Sequence, residues 1–358
     1  MTNEGVAMSN MHRSKGAARV GRKARIVGSA AVVAAGATAA SLALVGPSSA
    51  ADHTAKAPKV AAKNITIALV PGLTTDPFYI TMHAGAAAEA KKLGVKLTWQ
   101  GGTTFSPTTQ LPVVNALLAE HPSALLIAPT DVVALKAPIE KFIKAGIPVI
   151  TVDTTLKDTS ILASRITSNN FQGGEQAAET IAKLAHFKGQ VAVDNVNPGI
   201  STTDARQAGF IAQIKKYPKM SVAAIEYNND SPTLAASQTK DMVLKFPKLV
   251  GIFGTNIYGA QGAGEAIASA GKKGKIFVAA YDAEPATVKL LKQGVINVLV
   301  IQQPALEGAD GVKYAYDILT GHKSAVPKST LVKNVVGTTA NASSKSISKY
   351  FYLSSFSG

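Results

Sequence analysis

ITIALVPGLTTDPFY, residues 65–79, is the stretch that decides the fold of this chain. Its apolar run at 65–70 is typical of a buried parallel strand. Asp76 can cap the helix that follows, because the proline after it gives up no N–H that a first helical turn needs. Ligands of open α/β sheets collect beyond the carboxyl ends of the strands, so Phe78 and Tyr79 at this turn predict a small-molecule site. The alternative is an ordinary capped turn with two aromatic residues in the core.

The same strand-then-helix pattern repeats along the rest of the chain. Predicted strands lie at 65–70, 95–100, 124–128, 148–152, 161–166, 190–195, 221–227, 249–253, 275–280 and 296–301. Alternating units of this kind form parallel sheets with helices on both faces, and roughly ten units are too many for one sheet of ordinary width. We therefore predict an α/β fold of two doubly wound parallel-sheet lobes. One eight-unit barrel is the alternative, and the spare units disfavour it.

The first residues have the composition of an export signal. Six Lys or Arg residues lie between 13 and 25, an uncharged Ala/Val/Leu-rich run covers 26–45, and small residues precede Ala51. This order predicts a signal peptide at 1–50, followed by a polar linker at 51–63. An uncleaved membrane anchor is the alternative, because a run of about twenty apolar residues can span a bilayer. The chain has no cysteine, so it forms no disulfide and takes no lipid through a cysteine thioether.

The positive charge does not indicate a nucleic-acid partner. Of the formal net charge of +15, the first 50 residues contribute +5, which leaves +10 for the remainder. The lysines of that remainder are spread along predicted helices, whereas a nucleic-acid surface clusters them with arginines or aromatic residues. We predict solvated helix faces and no nucleic-acid binding.

Catalysis is also disfavoured by the motifs that are missing. There is no cysteine nucleophile, no G-x-S-x-G elbow and no G-x-G-x-x-G after the first strand, and the six histidines lack metal-ligand spacing. We therefore predict a protein that is not an enzyme and holds no cofactor or metal. Several carboxylates in one cleft leave open the alternative of a carbohydrate-cleaving enzyme.

Polar and aromatic side chains gather at the predicted carboxyl ends of the strands. The candidate ligand-binding residues are Asp76, Phe78, Tyr79, Asp153, Arg206, Asp230, Asn256, Tyr281, Asp282 and Gln302. Carboxylates, carboxamides and a guanidinium fork satisfy hydroxyl donors and acceptors, and aromatic faces stack on apolar C–H surfaces. This combination predicts a hydroxyl-rich ligand. Asp76, Asp230 and Asn256 could instead be helix N-caps, and Tyr281 could be a core residue.

Several segments carry a resemblance to a known family. They are ITIALV with DPFY, PVITVD, SNNFQGGEQAAETI, TTDARQAGF, GIFGTN, VAAYD and QQPALEGADGV, in order over residues 64–340. The chain resembles the periplasmic sugar-binding proteins of the ribose-binding type, which are the extracytoplasmic receptors of ABC importers. The resemblance implies a first lobe of 64–168 plus 303–328 and a second of 169–302 plus 329–358, joined by three crossings. It also implies sugar binding at the ten candidate positions, with Gln302 at a crossing.

Three departures from the family pattern bear on the ligand. Thr154 stands where ribose-binding proteins have an arginine, Asp230 where they have an aromatic residue, and Asp76 where they have an asparagine. The resulting excess of carboxylates disfavours a sugar phosphate and fits a neutral sugar or polyol, or else an amino sugar. The resemblance further implies a monomer that works with permease subunits, in the periplasm or at the outer face of the cytoplasmic membrane. A sensor for a non-sugar molecule is the alternative role.

Overall fold

Two six-stranded sheets form the body of the protein. The computed structural model describes residues 64–357, so the predicted signal peptide and linker lie outside the described residues. Within that part of the chain, no helix is long and apolar enough to cross a membrane. The elements are β1 (Thr66–Val70), α1 (Pro77–Leu93), β2 (Lys96–Trp99), α2 (Pro107–Glu120), β3 (Ala124–Ile127), α3 (Lys136–Lys144), β4 (Val149–Val152), β5 (Ser164–Ser168), α4 (Asn170–Leu184), β6 (Gly189–Asn195), α5 (Ser201–Ile214), β7 (Met220–Tyr227), α6 (Pro232–Lys245), β8 (Leu249–Gly254), α7 (Ile257–Ser269), β9 (Phe277–Tyr281), α8 (Pro285–Lys292), β10 (Val298–Ile301), α9 (Pro304–Leu319), a 3-10 turn (Lys323–Ala325), β11 (Ser329–Val332), β12 (Val335–Thr338) and α10 (Lys345–Ser348).

The sheets have the strand order of doubly wound folds. The first runs β11-β5-β4-β3-β1-β2 and the second β12-β10-β9-β8-β6-β7. Every pairing is parallel except that of β12, which is antiparallel to β10. Central strands such as β3 and β10 are buried along their whole length, as expected for strands that helices cover on both faces. The predicted α/β fold with two doubly wound lobes is confirmed.

Between residues 64 and 357, the chain crosses from one sheet to the other three times. The first crossing follows Ser168 at the end of β5, the second contains Gln302 between β10 and α9, and the third joins β11 to β12. We call the part built on the first sheet, with α1 to α3 and α9, the first lobe. The part built on the second sheet, with α4 to α8 and α10, is the second lobe. Gln302 therefore lies at a crossing, as the resemblance implies.

Two predicted boundaries differ from the structure by three residues or more. Strand β11 pairs with β5 in the first sheet, from Ser329 beside Arg165 to Val332 beside Ser168, so residues 329–332 belong to the first lobe. This pairing protects β5, which would otherwise be an open sheet edge. The strand predicted at 161–166 lies at Ser164–Ser168, because the residues before it form a turn that buries Leu162 in the core of the first lobe.

A close helix crossing places the arginine of the predicted site. Helices α4 and α5 pack at Gly174 and Gly209, where a Cβ atom on either glycine would collide with a carbonyl oxygen of the opposite helix. The backbone carbonyl that approaches Gly174 is that of Arg206. A larger residue at either glycine would push the helices apart and displace the guanidinium from the interlobe cleft.

Candidate functional site

A cavity lies between the two lobes, at the carboxyl ends of their strands. About 450 Å³ of space free of protein atoms, part of it open to solvent, lies between its walls. Its walls are formed by Asp76, Phe78, Tyr79, Phe105, Asp153, Val196, Ile200, Thr202, Thr203, Arg206, Asp230, Asn256, Asp282 and Gln302. Nine of the ten candidate residues therefore meet at one cavity, and Tyr281 is the one that does not line it.

The first lobe contributes aromatic rings and two carboxyl groups. Asp76 lines the cavity and also caps α1, because its Oδ1 accepts the Phe78 N–H at 2.8 Å. Asp76 is therefore the N-cap of α1, as the alternative predicted, and also faces the cavity. The Tyr79 hydroxyl donates to Asp153 Oδ2 at 2.6 Å, and the Phe78 and Tyr79 rings meet edge to face with centroids 5.0 Å apart. These contacts fix the wall before any ligand enters.

The second lobe contributes a guanidinium held on several sides. Only 2% of Arg206 is exposed; its Nε donates to Asn170 Oδ1 at 2.8 Å and its Nη1 to the Thr255 carbonyl at 2.8 Å. Nη1 also lies 3.6 Å from Asp282 Oδ2. The Arg206 Cζ atom sits 3.7 Å from the centre of the Tyr281 ring, a cation–π contact. The guanidinium plane is therefore fixed against the cavity wall.

Tyr281 supports the wall from behind. It is fully buried beneath Arg206, and its hydroxyl donates to Asn334 Oδ1 at 3.1 Å. A Cβ atom at Gly173 would collide with this hydroxyl, so that glycine leaves room for the ring. The alternative interpretation of Tyr281 as a core residue fits its position better than direct ligand contact does.

The remaining carboxyl groups are each paired with a carboxamide. Asn256 caps α7 by accepting the Gly259 N–H at 3.1 Å, and its Nδ2 donates to Asp230 Oδ1 at 2.7 Å. Asp230 does not cap α6, since the cap is Ser231. Gln302 Nε2 donates to Asp282 Oδ1 at 2.6 Å. One oxygen of each carboxylate is thus held by a carboxamide, and the other oxygen of Asp282 faces Arg206.

Three cavity aspartates have a left-handed backbone. The φ angles are +62° at Asp153, +61° at Asp230 and +75° at Asp282. This conformation is uncommon outside glycine and clusters at functional sites, although aspartate tolerates it better than most residues. All three residues follow strands, and the sharp backbone turn at each of them places its side chain in the cavity wall.

Burial raises the pKa of every cavity carboxyl group. Desolvation raises the pKa of Asp153 to about 6 against the opposing pull of Arg206, and that of Asp230 to about 6 against its bond from Asn256. The pKa of Asp76 is raised well above its ordinary value, by burial first and then by neighbouring carboxylates. Burial likewise raises the pKa of Asp282, opposed by Arg206. One guanidinium does not balance four carboxyl groups, so the cavity attracts hydrogen-bond donors and cations.

Two buried polar atoms in the cavity wall lack a partner. Thr203 Oγ1 and Gln302 Oε1 are both buried and form no hydrogen bond within the described residues. Such groups are costly to leave unsatisfied, and a ligand hydroxyl in the cavity would satisfy them. The unsatisfied pair therefore favours a polar, hydroxyl-bearing ligand.

Sequence reasoning missed five residues of the cavity wall. They are Phe105, Val196, Ile200, Thr202 and Thr203. The last four surround the turn between β6 and α5, which is a strand end like the others and so carried a usable positional signal. Phe105 lies in the polar loop after β2, and its ring would touch a Cβ atom placed on Gly72. That tertiary contact brings Phe105 to the cavity, and no local pattern reveals it.

The lobes touch each other beside the cavity. The Val132 N–H of the first lobe donates to the Gly199 carbonyl of the second at 3.3 Å, and the Thr155 N–H donates to Ser201 Oγ at 2.9 Å. These bonds join the two lobes near the cavity walls, so the cleft is closed. Within residues 64–357, no three His, Cys, Asp or Glu side chains are placed to hold a metal ion.

Comparison with known proteins agrees with this geometry. The family model described as a periplasmic binding protein domain matches residues 67–323. The ribose import binding protein of Bacillus subtilis is 31% identical over 263 residues, which cover 73% of this chain and 84% of that protein.

Solved structures with bound sugars also match. An ABC transporter solute-binding protein of Agrobacterium vitis, bound to α-D-tagatopyranose, is 40% identical with a TM-score of 0.79, covering 81% of this chain and 99% of that one. One from Agrobacterium radiobacter, in complex with D-arabinose, is 31% identical with a TM-score of 0.75, covering 80% and 98%.

Proposed function

We propose that this chain, which belongs to the periplasmic binding protein family, is the extracytoplasmic receptor of an ABC importer for a monosaccharide. The observation that carries the proposal is the interlobe cavity, where carboxylates, carboxamides, one guanidinium and aromatic rings meet around two unsatisfied buried polar atoms. The chain is a binding protein and not an enzyme, as the family predicts.

The cavity supplies what a sugar ring needs. Each sugar hydroxyl can donate one hydrogen bond and accept two. In the cavity the carboxylate oxygens can accept hydrogen bonds, and the Arg206 guanidinium and the Asn256 amide can donate them. Asp153 of the first lobe and Asp282 of the second both line the cavity, so their carboxylates can accept hydrogen bonds from the hydroxyls of a ligand. Phe78 and Phe105 offer apolar faces for the C–H surface of the ring. A ligand held in this way bridges the lobes.

Closure of the lobes is the proposed mechanism. An open form exposes the cleft, and the bonds from Val132 to Gly199 and from Thr155 to Ser201 form when the lobes meet. A sugar that contacts both walls has a higher affinity for the closed form, so it shifts the population toward that form. The permease subunits would then recognise the closed surface.

A neutral pyranose is the ligand class that we favour. The relatives reported above are named for ribose or were solved with α-D-tagatopyranose or D-arabinose bound, and we extend this ligand class to the cavity of this chain. Because Thr154 carries no charge and four carboxyl groups face one guanidinium, a sugar phosphate would be repelled. An amino sugar is the second candidate, since its ammonium group would compensate part of the carboxylate excess.

Export and retention complete the proposal. We propose that residues 1–50 direct export and that the mature protein acts as a monomer in the periplasm or at the outer face of the cytoplasmic membrane. Where an envelope has no outer membrane, an uncleaved N-terminal segment or a standing complex with the permease would retain it. A sensing role with the same ligand would use the same closed form.

The test is thermal unfolding and calorimetric titration of the purified protein against D-tagatose, D-arabinose, D-ribose, D-allose, D-glucosamine and D-galactosamine. Binding to the native state alone adds on the order of 4 kcal/mol at a thousandfold excess over Kd, which raises Tm by several degrees. A saturable shift with a neutral sugar supports the proposal. A shift with the amino sugars alone favours the second candidate. If none of the sugars in the panel binds, the monosaccharide assignment is contradicted.

A further inference from the structure

The C-terminal tail, which we define as residues 339–357, runs from the second lobe to the first. It leaves β12, and Ala342 and Ile347 are buried there against the second lobe. The Tyr352 N–H then donates to the Ala283 carbonyl of the second lobe at 3.0 Å. The next amide, that of Leu353, donates to Thr81 Oγ1 on α1 of the first lobe at 2.8 Å. The tail therefore bridges the lobes beside the three covalent crossings.

The end of the tail is seated on an aromatic stack. The Phe356 ring meets His83 edge to face with centroids 5.1 Å apart, and His83 stacks on Trp99 with centroids 4.5 Å apart. Trp99 is the single tryptophan of the chain. Its fluorescence therefore reports on whether the tail is docked.

One tail side chain contacts three residues of the cavity wall. The Tyr352 hydroxyl donates to Asp282 Oδ1 at 3.0 Å and accepts the Gln302 N–H at 3.1 Å. Its ring lies edge to face with Phe78 of the first lobe, with centroids 5.8 Å apart. Tyr352 is 4% exposed and does not line the cavity itself. It lies one layer behind the site.

The hydroxyl of Tyr352 fixes how two ligand-facing groups point. Asp282 Oδ1 accepts hydrogen bonds from both Gln302 Nε2 and the Tyr352 hydroxyl. The other oxygen, Asp282 Oδ2, is thereby directed at Arg206 and lies 3.6 Å from its Nη1. The same arrangement commits the Gln302 amide nitrogen to the protein and leaves its buried Oε1 without a partner in the described part of the chain. Without the Tyr352 hydroxyl, the Asp282 carboxylate and the Gln302 backbone N–H each lose one hydrogen bond.

We propose that the C-terminal tail is part of the ligand site, with Tyr352 as a positioning residue that orients Asp282 and Gln302 and joins them to the first lobe. This inference rests on the proposed function, because the oriented groups are those assigned to the sugar. It assigns a role to residues that the resemblance placed only in the second lobe.

The test replaces Tyr352 by phenylalanine and measures the affinity for the sugar of the panel that binds. Y352F keeps the ring against Phe78 and removes only the hydroxyl, so we expect Kd to rise about tenfold from the loss of two buried hydrogen bonds, one of them to a carboxylate. Y350F is the matched control, since it makes the same change two residues away, where the hydroxyl forms no hydrogen bond within the described residues. The Trp99 emission stays unchanged in Y352F if the tail remains docked.

A pH profile separates positioning from a merely structural role. The Tyr352 hydroxyl helps to lower the pKa of Asp282, so its removal raises that pKa and moves the acid limb of sugar binding to higher pH. The charged and titratable groups that face Asp282, besides Tyr352 itself, are Arg206 on α5, Asp153 after β4, Asp76 before α1, Tyr281 at the end of β9 and Glu307 on α9. All of them are unchanged in Y352F. In Y350F we expect sugar binding to be lost at the same acidic pH as in the wild type.

A measurement without ligand keeps the two proposals distinguishable. Carbon-detected NMR of the unliganded, ¹³C-labelled protein follows the Asp282 carboxyl directly, and we expect its titration to move up in Y352F and not in Y350F. If no panel sugar binds the wild type, the proposed function fails while this titration still judges the role of Tyr352. A Kd within twofold of wild type, or an Asp282 titration that does not move, overturns the inference.

Discussion

The two walls of the cavity are built differently. The first-lobe wall carries all the aromatic rings of the cavity, Phe78, Tyr79 and Phe105, together with two aspartates. The second-lobe wall carries the guanidinium, which is held by three separate polar partners. The first wall therefore offers surface for stacking, whereas the second is a polar network arranged in advance. A sugar that binds both would gain contact area from one lobe and hydrogen-bond geometry from the other.

The largest effect is expected from the second wall. Arg206→Ala removes the positive charge beside the buried Asp282 and the donor to Asn170, so we expect Kd to rise at least about 100-fold and the free energy of unfolding to fall by about 3 kcal/mol. Calorimetry and denaturant titration measure the two quantities. Arg165→Ala is the control, because Arg165 lies outside the cavity. Near-normal affinity in Arg206→Ala would contradict the assignment of the site.

Acid should weaken binding and stabilise the empty protein. The pKa values of Asp153 and Asp230 are raised to about 6, so both groups bind protons more readily in the folded protein than in the unfolded chain. Their contribution to stability is complete below the unfolded value of about 4 and is lost as pH rises through about 6. Sugar hydroxyls donate to the ionised forms, so affinity falls about tenfold or more between about pH 7 and about pH 5.

Calorimetric titration and thermal unfolding over this pH range measure the two opposite trends. Asp230→Asn removes one of the two titrating groups and should flatten both curves. If affinity and unliganded stability move in the same direction, the cavity carboxyl groups are not the cause.

A smaller effect is expected from the aromatic wall. Phe105→Ala removes an aromatic ring from the cavity wall, and we expect Kd to rise about fivefold from lost stacking area. Phe171→Ala is the matched control, because Phe171 is a half-exposed ring of the second lobe that does not line the cavity. A loss as large as that of Arg206→Ala would mean that the two walls contribute equally.

The smallest effect concerns closure. Ser201→Ala removes the acceptor for the Thr155 N–H, and we expect Kd to rise about threefold because only the closed form makes this bond. Thermal stability without ligand should stay unchanged. Ser269→Ala, at an exposed position on α7, serves as the control. An unchanged Kd would show that the bond contributes nothing to closure.

Local sequence patterns predicted most of the fold. Apolar strands, proline and glycine stops and side-chain caps act over a few residues, so the alternation of strands and helices was readable along the chain. The pairing of β11 could not be predicted in this way, because residues 329–332 join the first sheet through a long-range contact with β5. The same holds for Tyr281, whose place behind Arg206 depends on how two helices and a strand pack.

The sequence by itself determined the fold class, the strand ends and the residue types offered there, since these depend on local propensity and on the topology of parallel sheets. Only the tertiary structure decided which side chains share a wall. Phe105 and Thr203 line the cavity, whereas Tyr281 does not. Tyr352 contacts Asp282 although the two residues are 70 positions apart in the sequence. The physical reason is that burial and hydrogen bonding between distant segments set these positions, and neither leaves a local trace in the chain.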